Sequence, residues 1–347
     1  MLLSCVALAA ASCRSVGPNT IPRDQYDYGA AIANAGKEQL LANIVGIRYL
    51  DYPGFMTVSS VINQYTLEGE VNIGGGLNTS LTGGDTFNLG GAGRWSDRPA
   101  ITYTPVSGQK FARSLLTPLS AESLFALVQS GWPADILFQL TVRSVNGIEN
   151  EWAGPSARRQ ADPRFRELLS AWGRLVNARA IGMRRDGTED GSQIIVYRRE
   201  ASPDEQTRKD LTFLFEVLDL DPALDEFPLR YGLIPDDRNE INVITSSLLE
   251  MINDLAWRID VPDEHVNAGR TGSTFVDESP NASTPIRVHH SRKRPENAFV
   301  TIQNRDYWFY IDDADMASKR TFLIVQIMLS LTDEGEGARG PIVSLSN

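Results

Sequence analysis

The sequence has little of the chemistry that exported proteins use for covalent cross-links and metal sites. Its 347 residues include two cysteines, Cys5 and Cys13, and three histidines. Cys5 lies within the first apolar run and would be removed with it, so one cysteine would remain. A single cysteine forms no internal disulfide and supplies no thiolate metal site. We therefore expect a fold that rests on its hydrophobic core, with no metal and no cofactor.

Long apolar runs and catalytic signatures are missing as well. After residue 13 no stretch approaches the roughly 18 consecutive apolar residues of a transmembrane helix. The net charge of −11 argues against general nucleic-acid binding, which requires an excess of Lys and Arg. Neither the nucleophile-elbow and zinc-protease patterns nor the phosphate-loop and Ser-x-x-Lys patterns occur. The sequence therefore predicts a protein that is not an enzyme.

What is present at the N-terminus is a short apolar run, residues 2–11, that leads into Ala10-Ala11-Ser12-Cys13. The run has the length of a signal-peptide core and is too short to span a membrane. Small residues before a cysteine are typical of a bacterial lipobox, in which Cys13 would carry the acyl chains. An ordinary cleaved signal or a buried apolar N-terminus is the alternative. Because Arg14 follows, where aspartate would retain a lipoprotein at the inner membrane, we expect the outer membrane, facing the periplasm or the outside.

The rest of the chain alternates between helix-like and strand-like periodicity. Gly29 to about Tyr49 is predicted as a helix with Ile32 on its apolar face, and Ser247 to Ile259 as a helix that begins with a capping box of Ser247 and Glu250. Residues 136–145 and 286–288 are predicted as strands, and residues 55–61 as a strand or a short helix. After a break at residues 97–99, Ile101 and Tyr103 could resume a strand. This pattern predicts an α+β fold of mixed helices and antiparallel sheets that contains a long Gly-rich amphipathic β-hairpin. A polar segment, residues 150–162, is a candidate boundary between domains. The predicted parts are a signal peptide (1–12), a tether (13–28), an N-terminal domain (29–150) and a C-terminal domain (151–347).

The clearest periodic signal is the hairpin, residues 64–96. From Tyr65 to Leu81 the odd positions are mostly apolar or glycine and the even positions are polar or glycine, and Phe87 to Trp95 continues the alternation. A period of two predicts strands with one buried and one wet face. A three-residue turn at Gly83-Gly84-Asp85 would place Leu81 opposite Phe87, Leu77 opposite Gly91, and Ile73 opposite Trp95.

Three interpretations of this hairpin stay open. It is an ordinary hairpin packed on its own helices, a surface for subunit contacts, or a membrane-inserted element, since its strands reach the roughly 9–11 residues of a transmembrane strand. One hairpin cannot close on itself, so the membrane interpretation requires several copies, each donating two strands. The predicted membrane or subunit contacts are Ile73, Leu77, Leu81, Phe87, Leu89 and Trp95.

Six stretches of the chain, taken together, are distinctive. They are Leu41 to Val45 with Arg48-Tyr49, Tyr65 to Gly69, Leu115 to Pro118, Gln129 to Pro133, Val261 to Val266, and Tyr307 to Asp313. In these stretches the chain resembles a family of uncharacterised bacterial envelope lipoproteins. The resemblance implies a lipid-anchored envelope protein, and it implies no activity and no catalytic residues. At the level of architecture, hairpin donation by several copies is similar to the arrangement in the curli-secretion channel lipoprotein.

One basic cluster allows two interpretations. Its cations could bind an anionic glycan, a lipid head group or an acidic partner, or they could form a solvated loop in an acidic protein. The adjacent His289 and His290 would point to opposite faces of a strand, which makes them poor joint ligands. The predicted weak anion-binding residues are Arg287, Arg292, Lys293 and Arg294.

Three further groups have a functional and a structural interpretation each. The acidic run 312–315 could hold a cation, or it could favour the N-terminus of the closing helix. The aromatic run 307–310 could stack on a sugar or peptide, or it could pack both faces of a sheet. His265, after Asp263-Glu264, could act as a base beside a carboxylate. In each case the structural interpretation is favoured.

The sequence thus predicts a non-enzymatic outer-membrane lipoprotein with a structural or assembly role. In the sharper version, its hairpins join those of other copies or envelope partners in a ring or pore. The alternatives are a monomeric periplasmic binding or scaffolding module and an unrecognised hydrolase of envelope polymers.

Overall fold

The structure, a computed structural model, is an α+β fold, as the sequence predicts. Cys13, Leu77 and Leu81 lie outside the residues that it describes, as does the whole predicted signal peptide. The described residues are 21–62, 65–76, 86–97, 100–106, 109–120, 123–124, 127–128, 131–155, 158–187, 193–198, 204–276 and 284–332.

Contacts divide the chain into two units. The first, here called the ribbon unit, comprises residues 1–35 and 54–106, and the second, here called the main unit, comprises residues 36–53 and 107–347. The domain boundary predicted near residue 150 falls inside the main unit, where strands from both sides of that position share one sheet.

The first described element is helix α1, Ile21–Arg48. The sequence predicts a helix from Gly29 after a tether that ends at residue 28, so the end of that tether is corrected to helix. Pro22 permits the earlier start because an N–H in the first helical turn would have no intrahelical partner. Ile32, predicted on the apolar face, is exposed. The apolar residues of α1 that are buried are Leu40, Leu41, Ile44, Val45 and Ile47.

Four strands of the ribbon unit form antiparallel pairs. Strand β1, Phe55–Ile62, pairs with β4, Ala100–Val106. Strand β2, Tyr65–Gly76, pairs with β3, Thr86–Asp97. Residues 55–61, predicted as a strand or a short helix, therefore form a strand, and strands lie on both sides of the predicted hairpin turn.

The main unit contains a six-stranded mixed sheet. Its strands are β5 Val142–Val145, β6 Ile148–Glu149, β9 Ile181–Asp186, β10 Gln193–Arg198, β11 Glu226–Tyr231 and β12 Ile241–Thr245. Their order is β6-β5-β12-β11-β10-β9, in which β11 and β12 are parallel and the other neighbours antiparallel. Two short strands, β7 Trp152–Ala153 and β8 Arg158–Arg159, pair within the segment that the sequence predicts as a polar loop.

Helices accompany this sheet. They are α2 Gln109–Leu116, α3 Ala134–Thr141, α4 Pro163–Asn177, α5 Glu205–Val217, α6 Leu248–Arg258 and α7 Asp263–Asn267. Residues 136–145, predicted as strand, are helix α3 followed by β5, because a short apolar run has no period that separates a buried strand from a buried helix. The predicted capping box of Ser247 and Glu250 is confirmed at the start of α6.

A second, three-stranded sheet and a closing helix follow. Strand β15, Tyr307–Asp312, lies between β13, His289–Ser291, and β14, Ala298–Asn304. Helix α8 is Met316–Thr332. Residues 286–288, predicted as strand, carry no regular structure, and the pairing starts at His289.

Candidate functional site: the two-stranded ribbon

The β1–β4 pair ends in the same register in which the β2–β3 pair begins. Ile62 lies opposite Ala100 and Tyr65 lies opposite Asp97, so three residues separate these two pairs on each side. We call β1 and β2 the first arm, β3 and β4 the second arm, and the four strands together the ribbon. Among the described residues β1 pairs only with β4 and β2 only with β3, so each arm has an open edge.

The register differs from the one that the sequence predicts. Ile73 lies opposite Leu89 and not Trp95, and Phe87 lies opposite Gly75 and not Leu81. The predicted pairing is therefore wrong, and the predicted turn at Gly83-Gly84-Asp85 lies outside the described residues. The two registers differ by an even number of residues, and such a shift leaves every side chain on the same face. Alternation alone cannot distinguish them.

A β-bulge lies in the first arm. The register shifts between Val58, opposite Tyr103, and Ser60, opposite Thr102, which leaves Ser59 as the extra residue. The Ser59 hydroxyl donates a hydrogen bond to the Thr102 carbonyl oxygen at 3.2 Å. The bulge changes which positions of β1 share a face with the odd positions of β4.

The effect of the bulge is to keep the apolar residues together. One face of the β1–β4 pair, here called the apolar face, carries Met56, Val58 and Val61 with Ile101, Tyr103 and Pro105. The opposite face, here called the hydroxyl face, carries Thr57, Ser60, Thr102 and Thr104, together with the apolar residues Phe55, Ile62, Ala100 and Val106. Without the extra residue, Val58 and Met56 would fall on the hydroxyl face.

The apolar face of this pair is accessible. Met56 is 58%, Ile101 37% and Tyr103 57% exposed. Within the β2–β3 pair, the register places the positions of Ile73, Phe87, Leu89 and Trp95 on one face, since positions directly opposite each other share a face. The other two predicted contact residues, Leu77 and Leu81, lie outside the described residues.

The alternation of Ile101 and Tyr103 is typical of a strand that resumes after residues 97–99, and β4 lies there. The part of the apolar face on β1 is not predicted from the sequence. Met56 and Val58 could not be assigned to it, because the bulge changes the period at one residue and leaves no mark in the composition.

The main unit holds the predicted base, His265, in a buried aromatic cluster. Its Nδ1 lies 2.7 Å from the Tyr49 hydroxyl oxygen, and its side chain is 2% exposed. Burial lowers the pKa of His265 and raises the pKa of Tyr49 to about 12. Tyr49 and Nδ1 share one hydrogen bond, and Nε2 lies 4.0 Å from the Glu264 carboxylate.

The contacts around His265 give this residue a structural role in the packing of the main unit. Glu264 accepts a hydrogen bond from the Tyr307 hydroxyl and binds Arg292 through both oxygens. The Arg305 guanidinium lies 4.3 Å from the centre of the Tyr49 ring. Tyr49, which the sequence does not identify as a partner, closes one side of the histidine ring. A substrate would have to displace these contacts to reach the imidazole.

The aromatic run of β15 covers both faces of its sheet, as predicted. Tyr307 and Phe309 are buried, and Trp308 and Tyr310 are half-buried on the other face. The two histidines opposite them also lie on opposite faces, because the His289 ring packs on Tyr310 while the His290 ring contacts Tyr307 and Phe309.

The basic cluster is largely engaged within the chain. Arg292 pairs with Glu264, and Arg287 lies 3.6 Å from the Asp315 carboxylate. The Arg294 guanidinium lies over the Trp308 ring at 5.3 Å. An anion would therefore compete with internal partners at three of the four predicted cations.

The acidic run 312–315 serves the start of α8. Asp315 accepts hydrogen bonds from the Ser318 backbone N–H and hydroxyl, and Asp313 pairs with Lys319. In the part of the chain that the structure describes, no group of three or more His, Cys, Asp or Glu side chains is placed to hold a metal ion.

One buried cation was not found from the sequence. Arg48 is completely buried, its guanidinium lies 4.5 Å from the Trp257 ring, and Nη2 donates to Gly272 O and the Thr274 hydroxyl. Burial lowers its pKa to about 10. These bonds fix the loop 271–274 to the end of α1, and they give Arg48 a structural role.

Comparison of the chain with protein-family models, curated proteins and solved structures gives no match. Across the helices that the structure describes, none combines the length and the apolarity needed to cross a membrane. The resemblance to envelope lipoproteins remains a prediction.

Proposed function

We propose that this protein is an outer-membrane lipoprotein that assembles with copies of itself through the ribbon, and that the assembly is a ring or pore. The observation that carries the proposal is the apolar face of the β1–β4 pair, which the bulge at Ser59 extends across both strands and on which Met56, Ile101 and Tyr103 are exposed. Exposed apolar surface on a strand pair marks a site of protein or membrane contact.

Stability supports the same conclusion. An isolated two-stranded ribbon is marginally stable in water, because few of its apolar side chains are covered. In an assembly, lipid would cover the apolar face and strands of neighbouring copies would pair with both edges, and a single chain provides neither contact. The hydroxyl-rich opposite face then borders water, which is the alternation of membrane strands.

The β2–β3 part of the ribbon is long enough to cross the apolar layer of a membrane. Strands β2 and β3 have 12 residues each, about 40 Å at roughly 3.3 Å per residue. The apolar band of a membrane-embedded sheet is about 25 Å tall. The predicted lipid on Cys13 would hold the ribbon within reach of the bilayer.

The experiment compares two adjacent substitutions on opposite faces of β4. Ile101→Asp places a charge on the apolar face, and Thr102→Asp places the same charge on the hydroxyl face; both positions are exposed. Each variant is extracted from membranes in detergent and its particle mass is measured beside the parent chain. We expect a large symmetric particle for the parent and for Thr102→Asp, and a single copy for Ile101→Asp.

Two results would overturn the proposal. The first is a parent chain that extracts as one copy, which would favour the monomeric periplasmic module. The second is an equal effect of the two substitutions, which would remove the apolar face from the explanation. Circular dichroism and thermal unfolding of Ile101→Asp check that the main unit is still folded.

A further inference from the structure

Two of the four consecutive aromatic rings of β15 lie outside the core of the main unit. Trp308 and Tyr310 are half-buried on one face of the three-stranded sheet, here called the outer face. We infer that this outer face binds a glycan whose sugars carry carboxylates. The two rings stack on the sugars, and cations of the loop 292–297, between β13 and β14, pair with the carboxylates. The inference goes beyond the proposed assembly and does not depend on it.

The register of the sheet surrounds both rings with polar side chains. Trp308 and Tyr310 are two positions apart, so their side chains leave the same face of β15 roughly 7 Å from each other. Hydrogen-bonding residues occupy the positions opposite them on the neighbouring strands, namely Ser291, Gln303, His289 and Thr301. Aromatic surface beside a few polar groups suits a sugar, because its C–H groups pack on a ring while its hydroxyls form hydrogen bonds.

The outer rings contact surface residues, unlike the inner rings of β15, which pack in the cluster around His265. The centre of the Tyr310 ring lies 5.5 Å from that of the half-buried His289 ring. The exposed Arg294 guanidinium lies 5.3 Å from the centre of the Trp308 ring. A ligand can displace an exposed side chain of this kind without opening the core.

The loop 292–297 carries an excess of positive charge directly after β13. It contains three cations and one carboxylate, Glu296. Arg292 pairs with Glu264, whereas Lys293 and Arg294 are exposed and have no carboxylate partner within the described part of the chain. Charge complementarity therefore favours an acidic ligand over a neutral one.

One carboxylate lies on the outer face itself. Asp312 accepts a hydrogen bond from the Ala314 backbone N–H at 2.8 Å, just before the closing helix. It is four positions from Trp308 along β15, about 13 Å away at roughly 3.3 Å per residue. An acidic sugar at Trp308 is therefore separated from this like charge.

Binding exchanges one contact at Trp308. The sugar ring takes the place of the guanidinium over the indole, and the Arg294 guanidinium pairs with the sugar carboxylate through its planar fork of N–H groups. An exposed cation–π contact is weak, and a charge-assisted hydrogen bond is stronger. A neutral glycan lacks this gain, and a polyanion without sugar rings lacks the stacking.

The test compares ligands that separate charge from stacking. Alginate and hyaluronan hexasaccharides supply acidic sugars, cellohexaose supplies neutral sugars, and hexa-aspartate supplies carboxylates without sugar rings. Each is titrated by calorimetry into the full chain carrying Cys13→Ser. We expect saturable binding of an acidic hexasaccharide, and binding at least about tenfold weaker for cellohexaose and for hexa-aspartate.

Two matched pairs of variants locate the site. Trp308→Leu is compared with Tyr231→Leu, which removes an exposed ring elsewhere in the main unit. Arg294→Gln is compared with Arg159→Gln, which removes an exposed cation elsewhere. Trp308→Leu and Arg294→Gln should each weaken binding of the acidic hexasaccharide roughly tenfold, and the two control variants should leave it unchanged.

Three results would overturn the inference. They are an absence of binding to both acidic hexasaccharides, equal affinity for hexa-aspartate, and equal losses in a variant and its matched control. Thermal unfolding checks that each variant is folded. Because Arg294→Gln alters an exposed side chain, it tests the site even if Trp308→Leu lowers stability.

Discussion

Strands β4 and β15 follow the same alternation and differ in what covers it. In β15, the apolar positions Tyr307 and Phe309 are buried, and in β4 the corresponding positions Ile101 and Tyr103 are exposed. β15 lies between two strands and against the cluster around His265, whereas β4 has one strand partner among the described residues. Alternation therefore predicts a strand and which of its faces is apolar, but it does not predict what buries that face. For the ribbon, we propose that other copies of the chain and lipid bury the apolar face.

The largest difference is expected from truncating one apolar residue in each strand. Phe309→Ala should lower the free energy of unfolding by about 3–5 kcal/mol, because it opens a cavity under a fully buried ring. Ile101→Ala should change it by less than about 0.5 kcal/mol in the lipid-free chain, as exposed positions do. Urea unfolding of a Cys13→Ser chain measures both values. A loss of several kcal/mol for Ile101→Ala would show that β4 is covered within a single copy.

A second comparison is between a buried and an exposed ion pair. The main unit buries the Glu151 carboxylate between Arg258 at 3.0 Å and Arg166 at 3.0 Å. Glu151→Gln should cost about 3 kcal/mol, because the buried Arg258 loses one of its two carboxylate partners and keeps only Asp254. The matched control, Glu226→Gln, breaks an exposed pair with Arg184 and should cost less than about 1 kcal/mol. Equal losses in chemical unfolding would mean that the Glu151 network is solvated.

A smaller effect is expected from pH. Burial lowers the pKa of His265 below its ordinary value of 6.5, so the unfolded chain binds a proton first as the pH falls. The stability that neutral His265 contributes is therefore present above about pH 6.5 and is lost progressively below it. Strands β1 and β4 hold no group that titrates in this range.

Unfolding curves between pH 7.5 and 5 measure this loss in the parent chain and in His265→Gln. The substituted chain should be less stable at pH 7.5 and should lose less stability on acidification. An unchanged pH dependence in His265→Gln would assign the effect to other groups. The particle mass in detergent should stay constant across the same range.

Much of this architecture is predictable because it is local. The capping box at Ser247, the alternation of β2 and β3, and the opposite faces of His289 and His290 each follow from spacing within a few residues. The hairpin register does not, because an even shift preserves both faces. The bulge at Ser59 is one added residue with no sequence signature. The contact of Tyr49 with His265 joins residues 216 positions apart, and no local sequence pattern predicts it.

The central claim is that the apolar face of the ribbon meets lipid and the hydroxyl face meets water in the assembled protein. Single cysteines at Ile101 and Thr102 can be labelled with a water-soluble maleimide in intact membranes, with the parent chain as background. We predict that the cysteine at 101 is protected, because lipid covers it, and that the cysteine at 102 reacts. After transfer to denaturant both should react fully. Equal labelling of the two positions before denaturation would contradict the account.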